Sequence, residues 1–131
     1  MELSIKEKKI HYFNHIKMQK WSLKRTKQCA KCPFKVTTNP SVDIPNYNKN
    51  KHCNLENTIS KDTYNLEGGS FASMACHEST EKEPYHCIGW LHHQLGAGNN
   101  VRLRFRMFFC ENAKDIRVFG KQHISFNDTI K

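Results

Sequence analysis

The clearest helical pattern in the chain follows Cys87. The spacings of three and four residues that connect Cys87, Trp90, Leu91 and Leu95 place these side chains on one face of a helix. A glycine-containing stretch starts at Gly96 and is typical of a helix end. The sequence therefore predicts a helix that begins at Cys87 and stops before the glycines.

Residues 99–112 fit two different elements. Apolar residues alternate with three arginines from Val101 to Phe109, as in a half-buried strand. Val101, Phe105 and Phe109 also form a helical stripe, and Asn100 stands where a helix cap is favoured. On a strand the three arginines would share one face, whereas on a helix they would spread. Both alternatives stay open at this stage.

The remaining elements are predicted to be short. In chain order they are a weakly favoured helix within 1–28, a loop over 33–50, a short helix within 51–66, a strand over 70–77 and one or two strands over 115–131. These elements predict a small single α+β domain with short strands and two or three helices.

Composition bounds what such a domain does. The chain has 131 residues, of which 37% are hydrophobic, so a single domain with a thin core is expected. No stretch approaches the roughly 20 apolar residues of a membrane span, and we expect no membrane partner. The formal charge is +9. Residues 1–35 carry ten lysines and arginines against two acids, a net of +8, so the positive charge is concentrated near the N-terminus.

This distribution predicts a basic leader over residues 1–27, followed by a domain over 28–131. Aromatic residues interrupt its lysines, a pattern that suits phosphate contacts combined with base stacking. The alternative is a solvated polar face. The candidate nucleic-acid-binding residues are Lys17, Lys20, Trp21, Lys24, Arg25 and Lys27. The expected partner is nucleic acid or an acidic host protein.

Four cysteines have the spacing of a metal site. Cys29 and Cys32 form a CxxC pair, which turns two sulfurs toward one point, and Cys76 and Cys87 supply two more soft ligands. His77 is an alternative nitrogen ligand. Zinc is the expected ion, with a 4Fe–4S cluster as the alternative because both prefer thiolates. The site would staple the domain, compensating for its thin core.

The N-terminus, MELSIKEKKI, lacks the apolar run of a secretory signal. A cytoplasmic location is therefore expected, and its reducing environment favours a metal site over disulfides.

Two classes of function are compatible with this pattern. The favoured one is a non-enzymatic binding module whose metal is structural. The alternatives are a metal-dependent nuclease, in which His92 or His93 activates water and Asn100 orients a ligand, and an iron–sulfur DNA-processing protein. The nuclease is disfavoured because the histidine pair lies inside a predicted helix without an accompanying HxxxN arrangement.

Three motifs resemble an uncharacterised family of short bacterial and phage proteins. They are CAKCPF, MACHES, and CIGWL followed by VRLRF, and they match a pattern of CxxCP, CH, CxG[WF]L and a downstream Arg-Leu over roughly residues 28–106. The resemblance implies that Cys29, Cys32, Cys76 and Cys87, with His77 in reserve, form a shared site. It implies no activity, and it suggests a phage-encoded protein acting in the host cytoplasm.

Overall fold

The computed structural model describes residues 20–60 and 72–130. These residues form short helices joined by turns. The α-helices are α1 (Pro40–Asp43), α2 (Lys49–Asn54), α3 (Ile88–Leu95) and α4 (Val101–Met107), and single 3-10 turns occupy Leu55–Thr58, Ala113–Asp115 and Asn127–Thr129. Within the described ranges, extended segments pair only as isolated bridges. No described helix has the length and apolar character needed to cross a membrane. Over the described residues the chain is thus a small single domain with four α-helices and few strands.

Helix α3 confirms the prediction made from its apolar spacing. Cys87 is its N-cap, and the backbone N–H of Gly96 closes it by donating to the carbonyls of His92 and His93. On its apolar face Trp90 and Leu91 are buried in the core and are at most 1% exposed. The helix is held in place by burial of that face.

Helix α4 decides between the two alternatives for residues 99–112 in favour of the helix. The side chain of Asn100 accepts a hydrogen bond from the backbone N–H of Leu103 at 3.1 Å, which caps the helix. Its amide nitrogen donates to Gln94 Oε1 on α3 at 3.0 Å, and Asn100 is fully buried. Residues 101–107 thus form a helix despite their alternating pattern, because the residue that caps the helix is anchored in the core.

The loop predicted over residues 33–50 is wrong in part. Pro40 stands at the start of α1, where its missing N–H and fixed φ are tolerated. Asn48 caps α2 by accepting from the backbone N–H of Lys51 at 3.1 Å. The helix predicted within 51–66 accordingly begins earlier and continues as the 3-10 turn that ends at Thr58. Residues 61–66 lie outside the described ranges.

The predicted strands are reduced to single bridges. Ala75 pairs with His86, and the C-terminal region contributes Arg117 and Gln122, which pair with Lys27 and Lys35. The 3-10 turns at Ala113–Asp115 and Asn127–Thr129 interrupt that region before any longer ladder forms.

Residues 20–27 pack as part of the domain. The backbone N–H of Trp21 donates to the Phe109 carbonyl at 3.2 Å, and its carbonyl accepts from the Glu111 N–H at 2.8 Å. Leu23 is buried, and its backbone N–H and carbonyl both bond the side chain of Asn112, at 2.8 and 3.0 Å. The part of the predicted leader up to residue 19 lies outside the described ranges.

Two histidines are buried in this core. The Nε2 atom of His52 lies 3.0 Å from Thr129 Oγ1, and its Nδ1 atom contacts the Tyr47 hydroxyl. His93 donates from Nε2 to the Ile124 carbonyl at 2.6 Å. Burial lowers the pKa of both side chains below the ordinary histidine value.

These shifts predict that acid destabilises the fold. Histidines of the unfolded chain take up protons near pH 6.5, whereas the buried ones resist protonation until lower pH, so stability is complete above that value and falls as the pH drops below it. Denaturant midpoints measured from pH 7 to pH 5 should show this decline. His52→Gln, which removes one titrating group, should flatten the decline. An equally steep decline in the His52 variant would contradict the assignment.

Candidate metal centre

The CxxC segment forms a tight turn that places two sulfurs together. The backbone N–H of Cys32 donates to the Cys29 carbonyl at 3.4 Å, and Lys35 N–H donates to the Cys32 carbonyl at 3.0 Å. The two thiols are close enough to share a hydrogen bond. Cys32 is only 1% exposed, whereas Cys29 is half-buried at the edge of the site.

A short antiparallel pairing delivers the other two cysteines. Cys76 N–H donates to the Tyr85 carbonyl at 2.8 Å, and Cys87 N–H donates to the Met74 carbonyl at 2.9 Å. These bonds flank the Ala75–His86 bridge and bring Cys76 and Cys87 to neighbouring extended segments. The polar loop between them therefore closes a hairpin, and α3 starts where the hairpin ends.

The four sulfurs meet as a continuous series, which we call the thiol cluster: Cys76, Cys29, Cys32 and Cys87. The Sγ atoms of Cys32 and Cys87 are 3.6 Å apart, and Cys29 hydrogen-bonds both Cys32 and Cys76. Two sulfurs on one tetrahedral zinc lie ~3.8 Å apart, given bonds of about 2.3 Å. The separation between Cys32 and Cys87 is close to that value.

Two further side chains approach the exposed edge of the thiol cluster. His77 Nε2 lies 3.4 Å from Cys29 Sγ, so the predicted reserve ligand does reach the site. A carboxylate oxygen of Glu78 and the sulfurs of Cys29 and Cys76 all lie within 4.8 Å of one another. Glu78 was not predicted, because its only signal in the sequence is its position two residues after Cys76. Arg25 contacts the same carboxylate at 3.4 Å.

The thiols polarise one another. Hydrogen bonding from Cys29 lowers the pKa of Cys32 to about 3 and, first among several causes, lowers the pKa of Cys76 to about 7. The pKa values of Cys29 and Cys87 are raised, chiefly because each donates to Cys32. Hydrogen bonding within the thiol cluster thus favours the charged form of Cys32 and of Cys76. A bound cation would displace the remaining thiol protons.

Backbone amides support the two thiolates. Phe34 N–H bonds Cys32 Sγ, and Glu78 N–H bonds Cys76 Sγ, each from two residues further along the chain. Such N–H donors stabilise negative sulfur without adding a competing ligand. The same turn geometry therefore occurs on both sides of the thiol cluster.

Gly89 lets α3 approach the cluster. A Cβ atom at this position would lie 2.5 Å from Cys32 Sγ, 2.8 Å from Gln28 Nε2 and 2.9 Å from Phe34 Cβ. All three distances are below normal contact, so only hydrogen fits. The glycine of the CxG motif thus has a packing reason that the sequence alone did not reveal.

Among the predicted nucleic-acid-binding residues, the described lysines are exposed, whereas the arginine contacts other side chains of the protein. Lys20, Lys24 and Lys27 are exposed. Arg25 is engaged by Glu78 and by the hydroxyl of Tyr85, to which it donates at 2.9 Å. Lys17 lies outside the described residues.

Trp21, the aromatic residue expected to stack on a base, is partly covered by neighbouring side chains. The guanidinium of Arg106 lies 5.3 Å from its ring centroid, and the ring of His86 lies at 5.9 Å. Its indole N–H donates to the Arg106 carbonyl at 3.1 Å.

The residues of the nuclease alternative lie in different environments. His92 is exposed on α3, whereas His93 is buried with Nε2 on the Ile124 carbonyl and Nδ1 3.0 Å from Gln94 Nε2. Asn100 is the buried cap of α4. The structure therefore uses His93 and Asn100 for packing and hydrogen bonding within the core.

Comparison with known proteins gives one match. A family model described as "Family of unknown function (DUF6283)" covers residues 24–125, which include all four cysteines of the thiol cluster. No curated protein and no solved structure matches the chain. The phage origin expected from the motifs stays a prediction.

Gly89→Ala tests the close approach of α3. The added methyl has to displace either the helix or Cys32, and overpacking of this kind costs about 1–3 kcal/mol. We expect a lower denaturant midpoint and a changed reactivity of the cysteines toward a thiol reagent. His92→Ala, on the exposed face of the same helix, is the matched control and should leave both unchanged. A Gly89 variant with the wild-type midpoint would refute this packing role.

Proposed function

This chain belongs to the family of unknown function DUF6283, and we propose that it is a non-enzymatic nucleic-acid-binding module stapled by a zinc ion. The ion would be held by Cys29, Cys32, Cys76 and Cys87. The observation that carries the proposal is the convergence of four thiols from separate segments, with Cys32 and Cys87 3.6 Å apart.

The donor set fits zinc. Four thiolates provide the soft, closed set of ligands that is typical of structural zinc sites. The distance between Cys32 and Cys87 is well beyond a sulfur–sulfur bond, which is about 2.05 Å long, and all six cysteines are free thiols. When bound, the ion would supply structural cross-linking between the CxxC turn and the hairpin. An iron–sulfur cluster accepts the same ligands and is the alternative that metal analysis separates.

The cysteine variants test the zinc site. Structural zinc contributes on the order of 10 kcal/mol, comparable to the whole stability of a small domain. Cys32→Ser should therefore abolish zinc binding and cooperative unfolding, and a strong chelator should unfold the wild-type protein. Cys53→Ser, outside the thiol cluster, is the control and should keep one zinc per chain by elemental analysis.

Two results would contradict this site. One is a Cys32→Ser protein that retains wild-type metal content and melting temperature. The other is wild-type protein that, purified without oxygen, contains iron and absorbs near about 400 nm, as thiolate-bound clusters do.

Charge supports nucleic acid as the partner. The formal charge is +9, and Lys20, Lys24 and Lys27 are exposed along one segment. Phosphate contacts by such side chains release condensed counterions and dominate non-specific affinity. An acidic host protein would exploit the same charge, and the binding experiment distinguishes the two.

The environment of the nuclease candidates favours a binding role. Both ring nitrogens of His93 have protein partners, and Asn100 is committed to capping α4. Neither group is placed to meet a water on the surface of the domain. Of the nuclease candidates only His92 is exposed. The zinc in this proposal is structural because four cysteines fill its tetrahedral coordination.

Neutralising the exposed lysines should weaken binding and its salt dependence together. Removing one lysine–phosphate interaction reduces the steepness of log K against log salt by about 0.7–0.9. The triple variant Lys20→Ala/Lys24→Ala/Lys27→Ala should therefore show a shallower slope with a labelled oligonucleotide.

A second triple variant controls for net charge. Lys49→Ala/Lys51→Ala/Lys82→Ala removes the same charge from other exposed positions and should have a smaller effect. Wild-type protein that fails to bind DNA or RNA at low salt would exclude nucleic acid and direct attention to an acidic protein.

A further inference from the structure

Aromatic side chains are exposed at the C-terminal end of α4. Phe108 is 84% exposed and Phe105 is 52% exposed. Phe109 contacts both, with its ring edge-to-face against Phe105 at 5.8 Å and against Phe108 at 5.6 Å. The three rings form one surface, which we call the phenylalanine cluster.

Positive charge surrounds the phenylalanine cluster. Arg104 and Arg106 are exposed on the same helix, and Lys20 lines a concavity of about 490 Å³ together with Phe108 and Phe109. Glu111 is the acidic residue of that concavity. Lys20 is brought there because the backbone of Trp21 pairs with residues 109–111.

The neighbouring contacts hold this surface in a fixed shape. Arg104 donates to the Leu95 carbonyl at 2.8 Å, and Arg106 lies over the ring of Trp21. Leu103 and Met107 anchor the opposite face of α4 in the core. Phe105 is therefore presented by a helix whose position is set by packing, and Phe108 and Phe109 follow in the turn directly after it.

We propose that the phenylalanine cluster binds single-stranded nucleic acid by stacking bases on Phe108 and Phe105, while Lys20 and Arg104 contact phosphates. This inference rests on the nucleic-acid binding proposed above and assigns its site and its preferred strand form. It also moves the stacking role from Trp21, which protein groups partly cover, to rings that solvent reaches.

The chemistry favours a single strand as the occupant. Exposed aromatic rings beside cations complement bases and phosphates at the same time, and stacking tolerates any base because each has a π face. In a duplex those faces are buried in the base stack, so a duplex would meet only the charges. A protein partner would pack on the same rings, and binding of an oligonucleotide distinguishes the two occupants.

Substitutions at Phe108 test stacking in the 131-residue chain. The probe is a fluorescent oligodeoxythymidine, with affinity measured by anisotropy at several salt concentrations. Phe108→Ala should weaken binding by roughly tenfold, the loss typical of one stacked base, while the salt slope stays unchanged because the phosphate contacts remain. The melting temperature should not move, since the side chain is 84% exposed.

Conservative and control variants make the test specific. Phe108→Trp keeps a π face and should bind like the wild type, whereas Phe108→Leu keeps apolar area and should bind like the alanine variant. Ile124→Ala removes another exposed apolar side chain, 76% exposed, and should have no effect. The wild type should also bind the single strand more tightly than a duplex of the same length.

The outcomes separate the two proposals. Three results would overturn the stacking site while nucleic-acid binding stands. They are unchanged binding by Phe108→Ala, wild-type binding by Phe108→Leu, and equally tight binding of the duplex and the single strand. Absence of binding to either form at low salt overturns both. In a further outcome, the wild type does not bind the oligonucleotide but forms dimers or binds anionic vesicles, and it loses that property in Phe108→Ala. That result would overturn both proposals and assign the surface to a second copy of the chain or to a membrane.

Discussion

The meeting of four thiols is the constraint on which the arrangement of this chain depends. Cys29 and Cys32 come from a turn near the start of the described structure, while Cys76 and Cys87 come from a hairpin more than forty residues later. Contacts between sulfurs join these segments, and Gly89 lets α3 lie directly against Cys32. A domain with few strands lacks the long ladders that usually hold distant segments together, so local cross-links of this kind contribute more to its stability.

Buried polar side chains provide the second layer of organisation. Gln94 is fully buried on α3 and accepts hydrogen bonds through Oε1 from Ser60 N–H and from the Asn100 amide, each at 3.0 Å. Asn100 then caps α4. The relative placement of α3 and α4 is thereby set by directional bonds as well as by apolar packing, and such a network specifies one arrangement when all its members are satisfied. The phenylalanine cluster depends on this placement.

The proposed functions occupy separate parts of the molecule. The thiol cluster and its amide donors are largely buried, as a structural site requires, whereas the phenylalanine cluster and the lysines of residues 20–27 face solvent. Trp21 connects the phenylalanine cluster to the segment that carries the lysines. Its ring packs between Arg106 and His86, and its backbone pairs beside Phe109. Substitutions in the proposed partner surface can therefore be tested without disturbing the proposed metal site.

Local spacing and composition were enough to predict the helix after Cys87, the grouping of the CxxC pair with two later cysteines as one candidate site, and the excess of positive charge. Contacts between distant segments decided the rest. Residues 101–107 became a helix because Asn100 is anchored by Gln94, a contact that periodicity does not contain. His93 became a core residue because its ring reaches Ile124, thirty-one positions away.

The same distinction applies to the aromatic residues. Packing between segments distant in sequence partly covered Trp21 with Arg106 and His86, and it left Phe108 in solvent. Residue types and spacing indicate which groups are chemically able to act. Exposure and proximity are properties of the folded chain, because they arise only when its separate parts come together.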